Sequence, residues 1–315
     1  MKRFRKSINE SPLQKTSLAI DLTKRQFLLA LSATPCLALL SLKSTPSLAA
    51  KEIQLEYKVE RYIKRLRRQG IIHSAEKTAW SVYDFNIDKK LVSINENIPY
   101  QSASMIKPFV ALAFFIKVKQ GQLNYDQKAK TMMEAMIQRS SNKATNYFID
   151  ILCRQNHRSK ANEVEYILKS YAPGVFKHTT IVERIPTNGR TYRNKASARD
   201  YSRFLYAIWN DQLPYSQEIK RLMNLPNRDR IYTSRLPSHT EIYDKTGTTA
   251  KLCGNMGIVV AKDKNGRDYP YTFIGIIERT QRSRGFIQWK TSRSQIIQHV
   301  SNMVYDDLRK IHSLA

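Results

Sequence analysis

The 315-residue sequence predicts an α/β protein of the α+β kind: an antiparallel sheet of about five strands flanked by the terminal helices, interrupted by an all-helical lobe, with the functional site between the two. Three observations carry this. Strand-like segments stand on both sides of a long block with helical periodicity. Within each group they are joined by short polar turns, which favours antiparallel pairing. And the run FVALAFFI at 109–116 has no polar face, so it reads as a helix enclosed by the inserted block. At 42% hydrophobic and 10% aromatic, the chain can bury the core of one large domain or two interleaved ones.

The elements follow in order. Leu55, Val59, Tyr62, Ile63 and Leu66 share one face of a helix over 53–69. TAWSVYDFN (78–86) and KLVSIN (90–95) flank the polar turn IDKK and form a hairpin. The enclosed helix opens near Ser104 and stops at Gly121, Pro108 being tolerated in a first turn. A helix over 125–138 presents Met132, Met133, Met136 and Ile137, and another begins after RSSN with Ala144, Phe148, Ile151 and Leu152. From 176 to 195 periodicity lapses into an irregular loop of a length that usually carries function. Ser197 opens a helix with the capping-type sequence SARD. A short helix, the strands EIYDKTG, NMGIVVAK and YPYTFIGII, and a last amphipathic helix bearing Ile296, Val300, Met303, Val304 and Ile311 complete the chain.

The first fifty residues stand apart. A basic head (MKRFRK, then TKRQ) precedes FLLALSATPCLALLSL and the small-residue site SLA before Ala50, the order of an export leader over 1–49, with a run short for a membrane span. LTKRQFLL resembles a twin-arginine signal with Lys24 in place of the first arginine, so the general secretory route remains open. The expected location is periplasmic or extracellular. The α/β lobe then takes 50–97 and 241–315, and the helical lobe 98–240.

The net charge is +27; residues 1–49 contain eight Lys or Arg and two acids, so the remainder keeps +21. Such a surface suits an anionic wall polymer or membrane. Export and the lack of any nucleic-acid-binding motif argue against nucleic acid. No metal or other cofactor is expected, because the six histidines show no ligand spacing. Cys153 and Cys253 remain after the leader, and their spacing does not decide whether they pair. The chain is expected to be a monomer.

Three short motifs fall where the two lobes should meet: Ser104-Met-Ile-Lys107 at a helix start, Ser140-Ser-Asn142 in an interhelix loop and Lys245-Thr246-Gly247 at a strand end. Each alone is weak, since Ser74-Ala-Glu-Lys77, Ser7-Ile-Asn9 and Ser93-Ile-Asn95 repeat the patterns elsewhere. Their chemistry is coherent. A serine hydroxyl needs a neighbouring base, and Lys107 shares a helical face with Ser104. To act as that base, a lysine must lose about 4 kcal/mol of its preference for the charged form through burial and nearby positive charge. Lys245 can supply the charge. Backbone N–H groups at the helix start can stabilise an oxyanion beside Ser104.

In this order and setting the motifs resemble those of class A β-lactamases and penicillin-binding proteins. MEAMIQRSSNKATNYFIDIL is similar to the segment around the second motif and RLPSHTEIYDKTGTT to the approach to the third, so the resemblance runs from about 75 to 305. It implies that Ser140 relays a proton to the leaving nitrogen, that Asn142 holds a substrate amide, that Lys245 and Thr246 of the K-T-G motif bind a substrate carboxylate, and that the N–H of Thr248, next after Gly247, completes the oxyanion hole. Class A enzymes also carry a glutamate in an E-x-x-L-N context. Here the irregular loop offers only Glu183 in VERIPTN, with Asn188 five positions on and no leucine before it. Two further departures are Ser141 inside the second motif and a shorter interval between Ser104 and Ser140 than the class A norm.

The resulting expectation is a serine hydrolase of the class A β-lactamase type, opening the β-lactam amide through an acyl-Ser104 intermediate with Glu183 as the deacylating base. The second reading is a D-alanyl-D-alanine carboxypeptidase or transpeptidase acting on peptidoglycan stem peptides. A third is a non-catalytic peptidoglycan-binding protein.

Overall fold

The computed structural model describes residues 48–154, 161–186, 193–281 and 285–314; residues 1–47 of the expected leader, and Asn188, lie outside them. Five strands, β1 (Glu76–Asp84), β2 (Lys89–Ile94), β5 (Glu241–Thr248), β6 (Leu252–Lys262) and β7 (Asp268–Arg279), form one sheet in the order β2-β1-β7-β6-β5. Every pairing is antiparallel, and β5 is an edge.

The terminal helices α1 (Leu48–Arg68) and α8 (Phe286–His312) pack on one face of this sheet. Trp80, Val82, Phe273 and Val259 point to that side, joining Val59, Ile297 and Val300 in one core. Their strand neighbours Ala79, Ile274, Ile258 and Val260 point the other way, into a second core shared with the helical lobe. Burial on both faces explains why GIVVA and FIGII read as unbroken apolar runs rather than alternating ones.

The helical lobe contains α2 (Lys107–Lys119), α3 (Gln127–Ile137), α4 (Asn142–Arg154), α5 (Asn162–Tyr171), α6 (Ala198–Trp209) and α7 (Ser216–Asn224). Helix α2 packs against α3, α4, α5 and α7, and its residues from Lys107 to Ile116 are all buried. Asp126 caps α3 by accepting from Ala129 N at 2.8 Å, and Ser197 caps α6 by accepting from Asp200 N at 3.0 Å. The reciprocal half of a capping box is missing, because the Asp200 carboxylate is taken by His178 N and Thr179 Oγ1.

Three features depart from the sequence reading. Helix α5 was not foreseen. The segment 98–240 is not wholly helical, since β3 (Pro99–Gln101) and β4 (Lys195–Ser197) form a two-stranded ribbon that joins the approach to Ser104 to the end of the irregular loop. Ser104 lies in a single 3-10 turn, Ala103–Ile106, before α2 rather than in the α-helix itself. The spacing still serves, because i and i+3 eclipse in a 3-10 turn and Lys107 N–H donates to Ser104 O. No disulfide joins Cys153 to Cys253.

Candidate active site

The 3-10 turn is held from two sides. Ser102 donates to Asn194 O through both its backbone N at 3.0 Å and its Oγ at 3.2 Å. Ala103 adopts a left-handed φ of 46° immediately before Ser104, a strained conformation held by its surroundings. On the other side β5 comes so close that a Cβ on Gly247 would stand 2.9 Å from Met105 Cγ and 3.0 Å from Ala103 Cβ. Gly247 is therefore a spacing residue between the strand and the turn that carries Ser104.

Lys107, 0% exposed, extends to the loop before α4. Its Nζ donates to Ser140 O at 2.5 Å, Ser140 Oγ at 3.0 Å and Asn142 Oδ1 at 2.9 Å. That geometry needs Ser140 in the left-handed region, at φ 57°. The turn is fixed by Ser141, whose N bonds Ala135 O and whose Oγ accepts from Ala144 N at 3.1 Å as the cap of α4. A serine inside the second motif thus has a local structural use.

Lys245 is brought in by strand alternation. On β5 it pairs with Met256, on the helical-lobe side, whereas Asp244 pairs with Gly257 and faces the other way, against Ile231. Burial, followed by the charge of Lys245, brings the Lys107 pKa down to about 7. Burial likewise brings Lys245 down to about 8; the Asp244 carboxylate opposes this and Arg230 adds to it. Asp244 is itself pushed up to about 6, mainly by burial, while it accepts from Asn227 and Asn255. The result is a neutralisable amine beside a second, more persistent cation, the condition a serine nucleophile requires.

Thr246 pairs with Asn255 and Thr248 with Cys253 at the sheet edge. Sequence reasoning missed the residue behind them. Arg230 donates to Thr248 Oγ1 at 2.7 Å, Gly254 O at 2.9 Å and Ser294 Oγ at 2.8 Å, fixing a cation beneath the end of β5. Nothing in its surrounding sequence, NRDRIY, marks it for this position.

The irregular loop is tied down by buried side chains that were also missed. Asn194 Oδ1 accepts from Val182 N and Glu183 N, and its Nδ2 donates to Glu183 O. Asn146, one turn after Asn142 on α4, closes both backbone groups of Ile185: it accepts from Ile185 N at 2.8 Å and donates to Ile185 O at 2.9 Å. Glu183 itself turns to Arg193, whose N and Nε donate to its carboxylate at 2.5 and 3.0 Å. Ser104, Lys107, Ser140, Asn142, Lys245 and Gly247 are thus brought together. Glu183 is not bonded to any of them.

A sequence model described as the beta-lactamase enzyme family matches residues 58–131 and 128–308. The chain belongs to that family. Among solved structures, PBP-A is 20% identical over 84% of this chain and 97% of its own, with a TM-score of 0.63. A leucine-to-glutamate mutant of PBP-A, 19% identical over the same shares and with the same TM-score, is an acyl-enzyme complex with penicillin G. The chromosome-encoded β-lactamase of Vibrio parahaemolyticus is 16% identical over 80% of this chain and 99% of its own, again with a TM-score of 0.63. At these identities the likeness is one of fold, and it is the β-lactamase fold that the sequence predicts. No curated protein matches the chain.

Proposed function

We propose that the protein is a penicillin-binding serine acyltransferase of the D-alanyl-D-alanine carboxypeptidase or transpeptidase kind, acting on peptidoglycan stem peptides and acylated by β-lactams without rapid turnover. One observation carries this choice over a β-lactamase: the reacting cluster is built from amines, hydroxyls and an amide, with no carboxylate bonded to it among the described residues. Lys107 Nζ donates to Ser140 O, Ser140 Oγ and Asn142 Oδ1, and the Glu183 carboxylate is engaged by Arg193. Without a carboxylate placed to activate water, acylation by penicillin proceeds and hydrolysis of the penicilloyl ester lags.

In this reading neutral Lys107 takes the Ser104 proton as Oγ attacks the substrate carbonyl. The N–H groups of Ser104 and Thr248 receive the oxyanion, and Ser140, already bonded to Lys107, passes the proton to the departing nitrogen. Lys245, with Thr246, meets the terminal carboxylate, which both a D-alanyl peptide and a penicillin carry. Such a substrate lies outside the cytoplasm, where the leader-like segment would direct the chain.

Intact mass followed over time after benzylpenicillin, with hydrolysis measured in parallel, tests the assignment. The expected record is one penicilloyl adduct, absent in Ser104→Ala, that persists while little penicillin is consumed. Glu183→Ala is expected to leave its lifetime unchanged. Many turnovers with a fleeting adduct, and trapping by Glu183→Ala, would restore the β-lactamase reading.

The two lysines also set a pH dependence. The acylation rate is expected to rise as Lys107 loses its proton near 7 and to fall as Lys245 loses its charge near 8. The narrow bell belongs to the coupled pair rather than to either amine. Stopped-flow acylation measured from about pH 5 to pH 10 gives the profile, and a flat one would remove Lys107 from the role of base.

A further inference from the structure

Lys58, Arg61, Arg65 and Arg68 recur on α1 at intervals of three and four residues and so share one face of the helix, where all four are exposed. The opposite face, with Leu55, Val59, Ile63 and Leu66, is spent on the core. The cationic row borders a groove of about 450 Å³ that Tyr62 from α1 and His299 and Met303 from α8 also line. Tyr62 and His299 stack there with centroids 4.4 Å apart.

The fold makes little use of these charges. Lys58 pairs with Asp307 at 2.7 Å, but no described carboxylate lies within ion-pair distance of Arg61, Arg65 or Arg68. Like charges three and four apart on a helix destabilise it. The guanidinium of Arg61 lies 5.9 Å from the ring centre of Tyr57, which is 56% exposed, and Arg65 lies 5.3 Å from that of Tyr62. An exposed tyrosine, Tyr57, and a half-buried one, Tyr62, among arginines suit the boundary between water and lipid headgroups.

We propose that this face of α1 docks on an anionic phospholipid surface. The row runs straight for about 15 Å, as a flat bilayer requires and a curved pocket does not. In the sequence, α1 begins shortly after the apolar stretch 27–42, so export through the membrane delivers this helix beside a bilayer. The exposed arginines and Tyr57 make the attachment one of charge and headgroup contact.

The test is flotation of the purified full-length protein with vesicles of phosphatidylcholine alone and of phosphatidylcholine with phosphatidylglycerol, at low and high salt. Binding to the anionic vesicles, released by salt, is the expected result. The triple variant Arg61→Gln, Arg65→Gln, Arg68→Gln should bind about a hundredfold more weakly. Lys58 is kept for its Asp307 pair, and Arg67 because its guanidinium holds the carbonyls of His73 and Glu76. Unchanged penicillin labelling reports that the variant is folded, and the corresponding triple lysine variant should retain binding. Equal binding to neutral vesicles, undiminished binding by the glutamine variant, or retention by purified sacculi but by no vesicle would each overturn the proposal.

Discussion

Lys107→Met is expected to slow acylation by benzylpenicillin about a thousandfold, within the range lost when a positioned base is removed. Methionine matches the length of the lysine stem and suits a fully buried site, so the loss falls on proton transfer rather than on packing. It also deletes the bonds to Ser140 O, Ser140 Oγ and Asn142 Oδ1 that hold the left-handed turn.

Stability should reveal the same group by a different route. Burial lowers the Lys107 pKa from 10.5 to about 7, so between those values the unfolded chain holds more protons than the folded one. The wild type should therefore gain stability from this group as pH rises through that window, and the methionine variant should lack the gain. Rapid-quench mass spectrometry and urea midpoints at several pH values check the two parts. Acylation at the wild-type rate would mean that another group takes the serine proton.

Gly247→Ala is expected to cost about 1–3 kcal/mol of stability through overpacking and about a hundredfold in acylation rate through displacement of the turn that carries Ser104. The added methyl would stand 2.9 Å from Met105 Cγ and 3.0 Å from Ala103 Cβ, both fully buried, so it cannot be accommodated without movement of the turn. Gly174 offers a control. It meets nothing within 4 Å, and its substitution by alanine should be close to neutral. Thermal or urea unfolding with parallel labelling separates the two effects. A variant as stable and as reactive as wild type would show that contact with Gly247 does not position Ser104.

Some of the site was legible residue by residue. Ser104 and Lys107 are three apart and within one local element, so their proximity follows from helical geometry, whether α or 3-10. The alternation of a strand sets Lys245 and Asp244 on opposite faces, although which face meets Lys107 is decided by the sheet order. Ser140 and Asn142 were found by pattern, but their bonds to Lys107 depend on a left-handed residue that no propensity would place at a serine.

Glu183 marks the limit. As the only acid in an irregular loop, it was the available candidate for a deacylating base. Its direction is set by the far end of the same loop and by a neighbouring helix: Asn194 holds its backbone, Arg193 its carboxylate, and Asn146 fixes Ile185 two residues on. Arg230 belongs to the same class, since it reaches Thr248 and Gly254 only because β5 and β6 pair above it.

The sequence by itself determined the succession along the chain of the five long strands and of every helix but α5, the enclosed helix and the serine–lysine pair, because each rests on a local period of hydrophobic or reactive residues. The tertiary structure alone decided that burial beside Lys245 lowers the Lys107 pKa to about 7, that Gly247 sets the distance to the serine turn, and that Glu183 faces Arg193. Those outcomes depend on desolvation and on contacts between residues from ten to more than a hundred positions apart, and neither leaves a periodic trace in the chain.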